Sequence, residues 1–140
     1  MSAVTRYCLD TNAVSDIMND KYCVNQRLKD EIRKGSKIFI TSITYYEIAR
    51  GLKESRFHKK LKLFQEIYET FSHIYLDRES MEVIDKAAEI YDQLHKGQQI
   101  EDDDIFIAAM AIVNNCILVS DNEKHFSRIK ELHLVNWRNN

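Results

Sequence analysis

Four carboxylates in the 140-residue sequence stand where apolar runs begin or end. Asp10 follows Tyr7-Cys8-Leu9, Glu47 comes shortly after Ile38-Phe39-Ile40, Asp104 immediately precedes Ile105, and Asp121 closes the run Ile117–Ser120. If a fold gathers them, a specific chemistry follows. Clustered carboxylates repel one another and cannot all stay ionised without a cation. Oxygen-only ligands suit Mg²⁺ or Mn²⁺ rather than zinc. No pair among His58, His73, His95, His125 and His133 has the spacing of ligands sharing a helix face, which also argues against zinc. A divalent ion held by carboxylates activates water and stabilises an in-line displacement at a phosphodiester. It also lets an acidic pocket accept a phosphate.

Each acid has a structural alternative. Asp10 fits the N-cap of a helix starting near Asn12. Glu47 fits a capping box with Thr44, in the pattern T-x-x-E. Asp104, with Glu101, Asp102 and Asp103, fits a group of acids at a positive helix end. Asp121 fits a turn. Spacing alone leaves both interpretations open.

The elements that must position these residues alternate between two periods. Tyr7-Cys8-Leu9, Ile38-Phe39-Ile40, Ile74-Tyr75-Leu76, Ile117-Leu118-Val119 and Leu134-Val135 read as short strands. Between them run helical patterns. Val24, Leu28 and Ile32 end at Gly35, a C-terminal cap. Ser42 and Thr44 offer caps for a helix carrying Ile48 and Leu52. Phe57, Leu61, Phe64, Tyr68 and Phe71 form one apolar face, with Lys59, Lys60, Lys62, Glu66 and Glu69 off it. Val83, Ala87, Ile90 and Leu94 mark a further amphipathic helix, and Ile105 to Val113 is apolar all round, as in a buried helix. Strands alternating with helices predict an α/β fold: a mostly parallel central sheet flanked by helices. All four acids then fall on the sheet edge formed by the carboxyl ends of the strands, where such sheets build their sites.

The bulk properties agree. The length suits one domain, residues 1–140, and 44% hydrophobic with 30% charged residues reads as globular rather than disordered. A net charge of −2 gives the whole chain no attraction for nucleic acid, so any such contact must be local or carried by bound cations. Cys8, Cys23 and Cys116 match neither a zinc site nor a disulfide framework, which predicts free thiols in a reducing compartment. No stretch reads as a signal peptide or a membrane span, so a cytoplasmic protein is expected.

At four places the sequence resembles the PIN-domain nucleases. Tyr-Cys-Leu-Asp10-Thr11-Asn12 is similar to their opening strand-and-acid motif, and Thr44-x-x-Glu47-Ile48-x-x-Gly51 to the second acidic motif. Ile100 to Ala109 is similar to the third, and Leu118-Val119-Ser120-Asp121-Asn122 with His125-Phe126 to the fourth. The ending, with Phe126, Leu132, Leu134 and Asn136-Trp137, looks like that of VapC-type toxins of toxin–antitoxin pairs. The resemblance spans essentially the whole chain.

It implies a single PIN-like domain that hydrolyses RNA by metal-activated water, leaving a 5′-phosphate and a 3′-hydroxyl. Asp10 and Asp104 would be the principal ligands of Mg²⁺ or Mn²⁺. Glu47 would complete the acidic site as ligand or by positioning the attacking water. Asp121 would serve a second metal or hold its water. Thr11, Asn12 and Ser120 would orient these carboxylates. Register against Ile107-Ala108-Ala109 selects Asp104 over Asp102 and Asp103, and Asn122 is the alternative to Asp121. Such toxins are homodimers neutralised by a small antitoxin that inserts a segment along the acidic groove. Tyr45, Tyr46, Phe57 and Tyr68 suit that surface or the core.

Between Arg50 and Lys62 the basic residues Arg50, Lys53, Arg56, Lys59, Lys60 and Lys62 face one acid, Glu54. Arg50 and Lys53, nearer Glu47, are the candidates for the RNA backbone. Lys59, Lys60 and Lys62 fit a solvated helix face at least as well. Three other functions compete with RNA hydrolysis. One is a non-catalytic α/β interaction module whose acids are caps and turns. A DNA nuclease of the same fold is another. The last, a phosphoacceptor built on Asp10, lacks the second acid it needs, since Asn12 stands there.

Overall fold

The computed structural model describes residues 3–54, 58–76, 80–94, 97 and 99–138. Arg56, Phe57, His95 and the side chain of Glu54 lie outside the described residues. Among the described residues five parallel strands form one sheet in the order β3-β2-β1-β4-β5: β1 Arg6–Leu9, β2 Lys37–Thr41, β3 Ser72–Ile74, β4 Ile117–Val119 and β5 Leu134–Val135. The expected mostly parallel α/β sheet is thus wholly parallel.

Strand side chains alternate between two cores. Tyr7, Leu9, Ile38, Ile40 and Val119 enter the core under helices α1 (Thr11–Asn19), α2 (Val24–Arg33), α3 (Ser42–Glu54) and α4 (His58–Thr70). Cys8, Phe39 and Leu118 point the other way, into the core of α5 (Met81–Gln93), α6 (Asp102–Val113) and the short α7 (Glu123–Phe126). Helix α6 contributes Ile105 and Ile107 to Ala111 to that core, which accounts for its nearly unbroken apolar sequence. Among the described residues no helix is long and apolar enough to cross a membrane. The three cysteines are free, with Cys8 and Cys116 buried among apolar groups.

Two expectations are corrected. The third strand is Ser72–Ile74, two residues earlier than the Ile74–Leu76 apolar run. The His73 ring stacks on Tyr68 at 3.9 Å, which fixes Ser72 opposite Phe39, and the Leu76 amide turns away from the ladder to the hydroxyl of Ser42 at 3.1 Å. On α2, Ile32 is exposed and Glu31 is buried in its place. Glu31 is satisfied there by Ser36 Oγ at 3.0 Å, Arg27 at 3.3 Å and Lys34 at 3.4 Å. Gly35, at φ 88°, lets the chain turn back so that the Ser36 amide reaches the carbonyl of Glu31.

Candidate active site

Strands β1 and β4 are neighbours, and the chain leaves β1 towards β2 on one side and β4 towards β5 on the other. That switch point opens a crevice beyond their carboxyl ends. Asp10 is the first residue past β1. Its amide still bonds to Val119 O at 2.9 Å and its carbonyl accepts the Val14 amide at 3.1 Å, so it joins sheet to helix. It occupies the N-cap position of α1, yet its side chain makes no cap hydrogen bond. Instead Ser120 Oγ, at the end of β4, donates to Asp10 Oδ2 at 2.8 Å. The carboxylate is only 3% exposed, and Oδ1 is buried with no hydrogen-bond partner.

A buried carboxylate with one idle oxygen is costly. Burial pushes the Asp10 carboxyl up from 3.8 to about 6, and the charges of Asp104 and Glu47 add to that rise. The Ser120 hydroxyl and the Thr11 backbone N–H oppose it. Asp104 is likewise pushed up to about 6, by burial first and then by Glu47, Glu101 and Asp103. The three acids Asp10, Glu47 and Asp104, far apart in sequence, thus feel one another electrostatically.

Glu47 reaches the site from α3. That helix starts earlier than the sequence suggests: the Thr44 amide donates to Thr41 Oγ1 at 3.1 Å, so the last residue of β2 caps it. Thr44 is therefore inside the helix and buried, and no Thr44–Glu47 capping box forms. Glu47 Oε1 instead accepts from Thr11 Oγ1 at 2.7 Å, a bond from the helix after β1 to the helix after β2. Asp104 lies in the first turn of α6, which opens two residues before it, at Asp102. Asp102 lines a separate apolar hollow with Tyr91 and Phe106, and Asp103 lies within the electrostatic reach of Arg50.

Asp121 stands slightly apart. Asn12 Nδ2 donates to its Oδ1 and Arg138 Nη1 to its Oδ2, each at 2.7 Å. Arg138 also grips Asp16 with Nε and Nη2, at 2.7 and 2.9 Å. Asn122 faces elsewhere: its amide donates to Ser120 Oγ at 3.0 Å and its side chain meets His125 Nδ1 at 3.1 Å.

Sequence reasoning missed Arg138 and Asp16. Asp16 had a signal, since it lies one helical turn after Asn12 and so on the same face. Arg138 had none beyond its place after Asn136-Trp137. Lys60, which fits a solvated face at least as well as the RNA backbone by sequence, lines a groove of about 350 Å³ with Thr11, Ser15, Glu47 and Gly51. Arg50 is exposed on α3, its Nη1 donating to Tyr46 Oη at 3.3 Å, and Lys53 is exposed one turn further. Of the aromatics, Tyr68 is core and Tyr45 packs against it at 4.7 Å, while Tyr46 is exposed.

The chemistry of this donor set suits a hard divalent cation: carboxylate oxygens, a hydroxyl-held Asp10, and a buried oxygen without a partner. As the side chains stand, no three His, Cys, Asp or Glu groups among the described residues are close enough to hold an ion.

The PIN domain family pattern matches residues 7–132. A relative named ribonuclease VapC1 from Methanocaldococcus jannaschii is 40% identical over 96 residues, 68% of this chain and 66% of that one. Ribonuclease VapC2 from Rickettsia felis is 35% identical and covers 94% of this chain and 97% of its own. Among solved structures, a crystal structure of VapBC2 from Rickettsia felis bound to a DNA fragment from their promoter contains a similar chain. It superposes with a TM-score of 0.82 at 28% identity, covering 95% of this chain and 99% of that one.

Proposed function

Because the chain belongs to the PIN domain family, we propose that it is a metal-dependent endoribonuclease, the toxin of a toxin–antitoxin pair neutralised by a cognate antitoxin. The observation that carries the metal-dependent reading is the idle, buried Oδ1 of Asp10 beside two further acids, with Asp10 and Asp104 both pushed up to about 6. Relatives named ribonuclease VapC support the substrate class, and solved VapBC pairs support the antitoxin.

In this reading Asp10, Asp104 and Glu47 hold Mg²⁺ or Mn²⁺. When bound, the ion supplies Lewis acidity that activates water and neutralises charge developing on the phosphodiester. Asp10 is fixed by Ser120 and by the sheet, so its oxygen keeps one position through the reaction. Thr11 fixes Glu47, which positions the attacking water. Water adds to phosphorus, the P–O3′ bond breaks, and the proton lost by the water is balanced by the one gained at the 3′-oxygen. The products are a 5′-phosphate and a 3′-hydroxyl. Arg50 and Lys53, exposed on α3 beyond Glu47, hold the RNA backbone, and Lys60 lines a groove with Glu47 and Thr11. A homodimer acting in the cytoplasm completes the proposal.

One observation favours the alternative, a non-catalytic interaction module: no three acids among the described residues converge on an ion site. Against it, the caps that reading needs do not form at Asp10 or Glu47.

The test is cleavage of a mixed RNA pool with Mg²⁺ or Mn²⁺ by wild type, Asp10→Asn and Asp104→Asn. Cleavage by wild type alone, stopped by EDTA, supports the metal centre. Equal cleavage by the variants removes it. No cleavage with no saturable Mn²⁺ binding favours the module.

A further inference from the structure

Arg138 sits at the border of the acidic crevice in an unusually complete set of contacts. Nε and Nη2 clamp both oxygens of the buried Asp16, at 2.7 and 2.9 Å, as a two-pronged pair. Nη1 donates to Asp121 Oδ2 at 2.7 Å. The guanidinium lies 4.1 Å from the centre of the Tyr22 ring, and the Arg138 amide donates to Asn136 Oδ1 at 2.9 Å. Beside it, Trp137 is buried edge-on against Tyr7 at 5.3 Å, so the segment carrying Arg138 is anchored in the core.

The consequence falls on Asp121. Its Oδ1 accepts from Asn12 and its Oδ2 from Arg138. A guanidinium cannot lose its proton in a protein, so this positive charge is permanent. Asp10, by contrast, keeps its buried Oδ1 without a hydrogen-bond partner among the described residues. One acid of the crevice already has its cation, and the other does not.

We propose that Arg138 is the resident cation of Asp121, so that the metal centre takes a single divalent ion on Asp10, Glu47 and Asp104. Asp121 then acts only by holding Asn12 at the start of α1, and Arg138 is a positioning residue. The proposal rests on the reading of those three acids as a metal centre. A divalent ion at Asp121 would have to displace the Arg138 contact and would meet its charge at close range. Without Arg138, Asp121 and Asp16 form a second pair of acids lacking a counter-charge.

The experiment counts Mn²⁺ ions bound per chain, by electron paramagnetic resonance of free Mn²⁺ at equilibrium. It compares folded wild type, Arg138→Gln, Arg138→Lys and the double variant Arg138→Gln/Asp121→Asn. One ion is expected in wild type and Arg138→Lys, two in Arg138→Gln, and one again in the double variant. Two ions in wild type overturn the proposal without any variant. So does an unchanged count in folded Arg138→Gln, a second ion in Arg138→Lys, or a second ion that survives in the double variant. Wild type that binds no Mn²⁺ overturns the metal centre itself, an outcome distinct from the others.

Discussion

Ser120 and Asp10 are 110 positions apart in sequence and joined by a 2.8 Å hydrogen bond in which the Ser120 hydroxyl donates to Asp10 Oδ2. The bond ties the end of β4 to the end of β1 and takes one of the two oxygens of the buried acid. In Ser120→Ala that oxygen loses its donor. The expected cost is about 1–3 kcal/mol, for an acceptor left unsatisfied in the interior. Urea denaturation at pH 8, where Asp10 is charged, should show a larger loss than at pH 5. Equal losses at both pH values would mean that the hydroxyl serves packing rather than the carboxylate.

Asp10 itself sets a pH dependence. Its carboxyl stands at about 6 when folded against 3.8 for an unperturbed group, a difference of about 3 kcal/mol between its protonation states. Because the folded value is raised, the contribution to stability is fully present below 3.8 and is lost as pH rises through about 6. Metal-free wild type should therefore melt at lower temperature at pH 8 than at pH 5. Asp10→Asn keeps an oxygen for Ser120 and removes the charge. Its melting temperature should exceed that of wild type at pH 8 and change less with pH, while RNA cleavage disappears. A less stable Asp10→Asn at pH 8 would contradict the buried-charge account.

Thr11 joins the helix after β1 to Glu47. Thr11→Val preserves shape and removes the hydroxyl, at a stability cost of about 1 kcal/mol. Loss of a partner that orients a site carboxylate should lower kcat by about 10–100-fold. KM for RNA should hold steady, and Thr11→Ser should restore the rate. Kinetics in which KM alone rises would place Thr11 in RNA binding instead.

Arg50 and Lys53 point outward from α3 one and two turns beyond Glu47. The double reversal Arg50→Glu/Lys53→Glu should weaken RNA binding at low salt. The slope of log affinity against log salt should flatten by roughly 0.7 for each phosphate no longer neutralised. Filter binding to single-stranded RNA across a salt series measures both. An unchanged slope and affinity would remove Arg50 and Lys53 from the RNA contact.

Much of the arrangement is legible in the sequence because it follows from short-range pattern. Tyr7, Cys8 and Leu9 each declare a strand, and their alternation between the two cores follows from the pleat. An acid directly after such a strand in an α/β chain has little choice but the carboxyl edge, which is how Asp10 and Asp121 can be placed. Glu47 is harder, since T-x-x-E reads as a capping box until Thr41 is known to cap α3. What escapes reading depends on pairs with no local signature. Arg138 and Asp16 are 122 positions apart. Glu31 displaces Ile32 from the interior because Arg27, Lys34 and Ser36 gather around it, and hydrophobicity alone favours Ile32. The third strand shares only Ile74 with the apolar triplet, and its middle residue His73 stacks on Tyr68, a contact with no signature in the local pattern.

The amide of Asp10 belongs to the sheet, bonded to the carbonyl of Val119, and the amide of Ser120 bonds in turn to Val135. The central acid is therefore not mounted on a loop that can swing away. Deuterium should enter the Asp10 amide, which pairs between two central strands, more slowly than the Ser120 amide, whose partner Val135 ends a two-residue edge strand. Because the sheet holds the backbone of Asp10, relief of the crowded negative charge falls to the side chains or to what solution brings them, beginning with the proton that Asp10 and Asp104 keep up to about pH 6.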